Sequence, residues 1–344
     1  MYRGLIADQV DSLTLKEYKE RAVKRDEVKV KTIYGSPKHG TEMTMFKGIS
    51  PFQREYYDEE WNMFLKTEEK RNVFPLDLGN MWVGNIVETG AGVKQFEVGQ
   101  RVAGYGSLKE YQYIKKNNVL KLPENMSWKS ALCYDPARFA LGGIRDGNLK
   151  LGDRVAVFGL GAIGLLTIQM AVQSGAIWVA AVDPIKKRRV IAKKIGADLV
   201  LDPDQLDIGY EIKKNTNKKG VDLSIDTSGY TPALQTAIRA TAYGGTVTIV
   251  GWYKRLKNHL NLGREAHFNI PKIIFSRACS EPNREHPRWN LARINKTCWE
   301  MLSQGQYDCE DIISPVVDFK NIIEKYRYYV DTNPEKSIKL GVKF

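Results

Sequence analysis

The stretch VAVFGLGAIG, residues 155 to 164, sets Gly159, Gly161 and Gly164 at the spacing GxGxxG directly behind a short apolar run. In such a pattern the first glycine permits a tight turn. The second leaves room for a pyrophosphate to approach the backbone, and the third lets the following helix pack against its strand. Gly161, Ala162, Ile163 and Gly164 then open a helix whose free N–H groups and dipole favour an anion. Asp183 stands nineteen residues beyond Gly164, at the end of the next apolar run. A carboxylate there can accept hydrogen bonds from the adenosine ribose hydroxyls and repels the extra phosphate of NADP. NAD is therefore the expected cofactor, although Lys187 and Arg188 close by weaken the discrimination. A glycine turn that holds no ligand is the plain alternative; the strand before it and the helix after it argue for the dinucleotide.

The elements that would carry these residues alternate. Val155–Phe158, Trp178–Val182, Leu199–Leu201, Leu223–Ile225 and Thr246–Val250 read as short apolar strands. Leu165–Ser174, Pro184–Ile195 and Thr231–Ala240 have helical spacing between them, the second stopped by Gly196. That rhythm implies right-handed βαβ units and a parallel sheet. The first 130 residues differ: short strands and dense glycine turns (VGNIVETGAG, GQRVAGYG, EYQYIKKNNVLKLP) suggest a β-rich, barrel-like domain. The polar, aromatic stretch GISPFQREYYDEEWNMFLKTEEKRNVFP reads as a loop with a helical turn. Its aromatics fit a lid or an oligomer contact equally well. Helical patches (RINKTCWEML, FKNIIEKYRYYV) and a strand, SIKLGVKF, complete the chain, with no internal repeat.

The 344 residues are enough for two domains, and 43% hydrophobic with 27% charged residues is the balance of a soluble globular protein. No opening apolar stretch reads as a leader and no run reads as a membrane span. Cys133, Cys279, Cys298 and Cys309 include no CxxC pair, against both a disulfide scaffold and a four-cysteine zinc knot, so a cytoplasmic location is expected. The net charge of +12 lies largely in Lys and Arg between 186 and 219, interrupted by acidic residues. These read as solvated faces; with no nucleic-acid motif beside them, neither nucleic acid nor membrane is an expected partner.

VETGAGVKQFEVGQRVAGYG, VLKLPENMSWKSALCYDPARFAL, LGDRVAVFGLGAIGLL and NPEKSIKLGVKF together resemble the medium-chain dehydrogenase/reductase superfamily of alcohol and polyol dehydrogenases. The resemblance covers nearly the whole chain. It implies an α/β protein: a GroES-like catalytic domain from residues 1–137 and 277–344, with a Rossmann doubly wound parallel-sheet domain, 138–276, inserted. It also implies an active site in the cleft and a homodimer or homotetramer. Thr227 and Ser228, and Val250 and Gly251, fall where the family approaches the nicotinamide.

The departures bear on zinc. In zinc-dependent members a cysteine ligand precedes a Gly-Thr/Ser-Asp/Glu run; here Gly40-Thr41-Glu42 follows His39. Where those members carry Gly-His-Glu, this chain has Gly79-Asn80-Met81, and the polyol branch's E-P-L is Asp135-Pro136-Ala137. Amide and thioether donors are poor ligands for zinc, so the catalytic zinc is expected to be lost, a residual site through His39 and Asp135 being the alternative. No structural zinc lobe is present either. Zinc-independent members, and the bacteriochlorophyllide dehydrogenase-like branch, are the nearest in pattern.

Without the ion, side chains must manage the proton. The resemblance places His39 as general acid/base, Thr41 as the hydroxyl relay, Asp135 as a partner of His39 or of a substrate hydroxyl, and Asn80 as a donor to the substrate oxygen. A structural histidine and a turn hydroxyl are the bland readings of His39 and Thr41, and Glu42 is expected to support the site from behind. Cys279 and Ser280, and His286, Arg288 and Trp289, are weaker pocket candidates. The expected activity is NAD(H)-dependent interconversion of a secondary alcohol and a ketone on a polar, polyhydroxylated substrate. A reductase of activated double bonds and a nucleotide-binding protein without turnover are the alternatives.

Overall fold

The computed structural model describes residues 1–67, 72–253, 260–277 and 288–344. Two compact units divide the chain: Met1–Leu132 with Ile313–Phe344, and Cys133–Ile312.

The second unit holds a six-stranded sheet in the order Leu199–Leu201, Trp178–Val182, Arg154–Phe158, Val221–Asp226, Thr241–Ile249 and Lys272–Phe275, parallel throughout. The central strand is a continuous apolar run because both its faces are covered: Val155, Ala156, Val157 and Phe158 are fully buried. The helix Thr231–Ala240 lays Leu234, Ala237 and Ile238 in one core cluster with Ala156, Phe158, Val247 and Ile249. Strand order reverses between Arg154–Phe158 and Val221–Asp226. The loops at their carboxyl ends therefore leave a crevice, where doubly wound sheets take their ligands. The helix after the glycines starts at Ala162 rather than Leu165, so the glycine turn leads straight into its first residue.

The first unit is β-rich, as expected. Its main sheet runs Leu120–Lys121, Arg101–Tyr105, Met81–Thr89, Glu27–Ser36, Lys339–Lys343, Ile313–Asp318, with Tyr111–Lys115 also pairing to Glu27–Ser36. The C-terminal strand Lys339–Lys343 is thus an interior strand. It is antiparallel to Glu27–Ser36 (Val342 opposite Gly35) and parallel to Ile313–Asp318. Trp82 fills the space beneath Gly104 and Gly106, where a Cβ would come within 2.5 and 2.7 Å of its ring. The indole Nε1 donates to the Tyr105 carbonyl at 3.1 Å.

Three expectations need correcting. The stretch from Gly48 is not only loop: after the turn Pro51–Gln53, Glu55–Asp58 pairs antiparallel with Met63–Lys66. Asp58 Oδ1 accepts from the backbone N–H of Glu60 and Trp61, which folds the connection back on itself. The first boundary falls at 132/133 rather than 137/138, because Tyr134–Asp146 is one continuous helix. The return to the first unit comes at Ile313 rather than 277. The helix Leu291–Ser303 buries Ile294, Cys298 and Leu302, and its Trp299 meets Tyr134 edge-on at 5.3 Å. Gln169 ties the following turn down through both the carbonyl and the N–H of Asp308. That segment belongs to the nucleotide-type unit.

Candidate functional site

The glycine turn has the geometry its sequence implies. Gly159 has φ +84°, a left-handed conformation that disfavours side chains. A Cβ on Gly164 would lie 1.9 Å from the Gly159 carbonyl oxygen, so the turn and the helix close on each other only with glycine there. Gly161 is the opposite case. It is the N-cap of the helix Ala162–Gln173, and a Cβ built there meets nothing within 4 Å. Open space over a helix N-terminus, beside the first residues Ala162 and Ile163, is what a pyrophosphate needs. The residues present fit a dinucleotide.

Asp183 follows the strand Trp178–Val182 and is buried. Its Oδ2 accepts from Leu160 N–H at 2.7 Å and its Oδ1 from Ile185 N–H at 2.8 Å. The carboxylate therefore ties the glycine turn to the next loop, and each oxygen keeps a lone pair for a ribose hydroxyl. Arg188 lies 3.6 Å from Oδ2, while Lys187 is part of the same helix, Lys186–Lys194. On the other flank, Thr227 Oγ1 donates to the Gly159 carbonyl at 2.7 Å. Ser228 Oγ donates to Asp226 Oδ1 at 2.6 Å. Val250 and Gly251 N–H both donate to the Asp226 carbonyl, at 2.8 and 3.0 Å, and Gly251 packs so closely on Gly229 that a Cβ would sit 2.3 Å from its nitrogen. Tyr253 OH donates to the other Asp226 oxygen. Burial pushes the Asp226 carboxyl up and the Tyr253 hydroxyl with it. No motif in the sequence marks Tyr253 or the bracing role of Asp226.

In the first unit, His39 and Asn80 come together on the C-terminal strand. His39 Nε2 accepts from Leu340 N–H at 3.0 Å. Asn80 Oδ1 accepts from Lys339 Nζ at 3.1 Å, and the same ammonium donates to the Pro37 carbonyl at 2.9 Å. Thr41 is the first residue of the helix Thr41–Phe46, and among the described residues its hydroxyl has no hydrogen-bond partner. Glu42 is buried behind them. It accepts from Gly79 N–H at 2.6 Å and from Tyr326 OH at 2.6 Å. Burial pushes its carboxyl up, while Tyr326, Gly79 and the nearby Lys339 charge pull the other way. Asp135 is buried in the first turn of Tyr134–Asp146 and belongs to the other unit. Lys339 and Tyr326 were invisible as site residues in the sequence; the only signal was a lysine inside an apolar terminal strand.

A zinc ion does not fit this donor set. The Nε2 lone pair of His39 is spent on Leu340, the Asn80 oxygen faces an ammonium, and Glu42 is engaged by two donors. Among the described residues no group of three or more His, Cys, Asp or Glu is placed to hold a metal. Of the weaker candidates, the Trp289 ring meets the guanidinium groups of Arg145 (3.7 Å to its centroid) and Arg293 (4.2 Å), with Arg293 donating to the Arg288 carbonyl. Cys279, Ser280 and His286 lie outside the described residues.

Family models match in both units: "Alcohol dehydrogenase GroES-like domain" over residues 26–124 and "Zinc-binding dehydrogenase" over 162–287. D-guloside 3-dehydrogenase of Escherichia coli (strain K12) is 49% identical over 99% of this chain and 100% of its own length. The chain belongs to the medium-chain dehydrogenase/reductase superfamily. Solved members share the fold at lower identity. The 2R,3R-butanediol dehydrogenase of Bacillus subtilis matches with a TM-score of 0.78 at 21% identity, over 100% of both chains. A Sinorhizobium meliloti 1021 protein solved with NADP bound matches at 0.80 and 18%, over 100% of this chain and 99% of that one. The superfamily's two-part plan accounts for the discontinuous first unit.

Proposed function

We propose that this dehydrogenase interconverts a secondary alcohol and a ketone on a sugar-type polyol, with NAD as hydride carrier and without zinc in the reaction. The full-length 49% likeness to D-guloside 3-dehydrogenase carries the substrate class: a carbinol on a glycoside ring. Asp183 carries the choice of NAD, as a buried carboxylate at the ribose position repels a further phosphate. Gly161, Ala162 and Ile163 would hold the pyrophosphate, Gly159 and Gly164 shape its turn, and Thr227, Ser228, Val250 and Gly251 would line the nicotinamide end.

Bound NAD supplies the hydride acceptor. The chain's own residues orient the substrate and handle the proton. With Nε2 accepting from Leu340, the neutral His39 ring carries its proton on Nδ1, and His39 is proposed as the general acid/base. It takes a proton at Nε2 only by releasing Leu340. Thr41, whose hydroxyl is unengaged among the described residues, relays the proton of the carbinol. Asn80 donates to the reacting oxygen, and Asp135 binds a neighbouring substrate hydroxyl. A homodimer or homotetramer is proposed as the working form.

The deciding experiment follows absorbance of reduced cofactor with NAD and NADP in turn, against glycosides, free polyols and simple secondary alcohols, before and after exhaustive chelation with metal analysis. Activity on glycosides with NAD, retained in metal-free protein, is expected. A preference for NADP, or activity that chelation abolishes and zinc restores, overturns the corresponding part.

A further inference from the structure

Lys339 is only 6% exposed, yet it begins the strand Lys339–Lys343 in the interior of a sheet. Burying an ammonium is costly unless it is hydrogen-bonded. This one donates to the Pro37 carbonyl and to Asn80 Oδ1. An ammonium has N–H donors and no acceptor, whereas a carboxamide has one acceptor end and one donor end. Facing Lys339, Asn80 must therefore turn its oxygen inward and its NH2 away, and among the described residues that NH2 has no hydrogen-bond partner. The next residue along the strand does the same to position 39, where Leu340 N–H occupies the imidazole Nε2. Of two consecutive residues of one strand, Leu340 thus takes up the imidazole Nε2 lone pair and Lys339 sets a cation against the Asn80 oxygen, and the buried positive charge further disfavours a divalent ion.

We infer that Lys339 is a positioning residue that makes position 80 a fixed hydrogen-bond donor to the substrate's reacting oxygen, the electrostatic duty a metal performs elsewhere in the superfamily. The inference rests on the alcohol–ketone reading above. A donor held in place before reaction stabilises the developing alkoxide without reorganisation at that moment. Lys339 acts through Asn80, and its charge adds to the same potential.

The test compares the wild type with Asn80→Asp, Lys339→Met, Lys339→Arg and the double variant Asn80→Asp/Lys339→Met, using the glycoside that the wild type oxidises best. Asn80→Asp keeps an acceptor for Lys339 and replaces the NH2 donor by an acceptor oxygen. Each of Asn80→Asp and Lys339→Met should lower kcat by about 100-fold, with KM for NAD changed by less than about 3-fold. Lys339→Arg, still a donor-only cation, should recover activity to within about 10-fold of wild type. The double variant should be little worse than either single one, because the two act as one unit. Independent losses in the double variant, an unaltered kcat in Asn80→Asp, or a loss confined to NAD binding would overturn the assignment. If no glycoside turns over in the wild type, the functional reading fails first. Side-chain amide NMR of asparagine-labelled protein then still decides the pairing: the Asn80 NH2 signals should shift and broaden in Lys339→Met, and unchanged signals overturn it.

Discussion

At the scale of single residues, the chemistry turns on which lone pairs are already occupied. Asp183, Asn80 and His39 each accept a hydrogen bond from the chain itself, and that acceptance decides what each has left to offer. Glu42 is the most constrained of the set, buried against Gly79 and Tyr326. Burial raises its carboxyl pKa in the folded state. A carboxyl elevated on folding holds its proton longer in the native state than in the unfolded one. Its contribution is therefore fully present below the ordinary Glu range and is lost as pH rises from that range through the elevated value. Each unit of elevation is worth about 1.4 kcal/mol. Glu42→Gln keeps an acceptor for Gly79 and cannot ionise. Thermal midpoints measured from pH 4 upward should show the wild type losing ground steadily to Glu42→Gln. A constant difference across that range would show that Glu42 does not titrate.

At the scale of elements, one glycine turn performs two separable tasks. Gly164 is required for packing, since a Cβ would strike the Gly159 carbonyl at 1.9 Å. Gly161 faces open space in the protein alone. Gly164→Ala should destabilise the protein by about 1–3 kcal/mol or more, as overpacking does, read as a lowered denaturant midpoint. Gly161→Ala should leave that midpoint unchanged while weakening NADH binding by about 10-fold or more, read by fluorescence titration. Unimpaired NADH binding in Gly161→Ala would place the pyrophosphate elsewhere. The helix after Gly161 was legible because an apolar strand, three spaced glycines and a continuous apolar helix make a local signal. The Glu55–Asp58/Met63–Lys66 hairpin was not. Its strands are short and largely exposed, so no apolar alternation marks them, and an Asx turn at Asp58 closes it.

At the scale of the whole molecule, among the described residues the six-stranded sheet ends in an edge strand, Lys272–Phe275, in which Ile273 and Phe275 are exposed, Phe275 by 76%. Phe268 and Ile270 just before it are exposed too. Open apolar edges invite pairing with another strand, and a second copy of this chain is the partner proposed above. Phe275→Asp should reduce the mass measured by light scattering to that of a monomer while leaving the secondary structure intact. An unaltered mass would place the subunit contact on another surface.

Read alone, the sequence determined the α/β class, the parallel alternation and the glycine turn that leads from strand to helix. All of these rest on residue type and short-range spacing. Only the tertiary structure decided where the chain returns to its first unit, how Asp226 and Tyr253 brace the crevice, and what stands behind His39 and Asn80. Those depend on contacts between residues up to about three hundred positions apart, such as Lys339 with Asn80 and Leu340 with His39. A sheet that places Lys339–Lys343 beside Glu27–Ser36 creates those contacts, and no local pattern announces them.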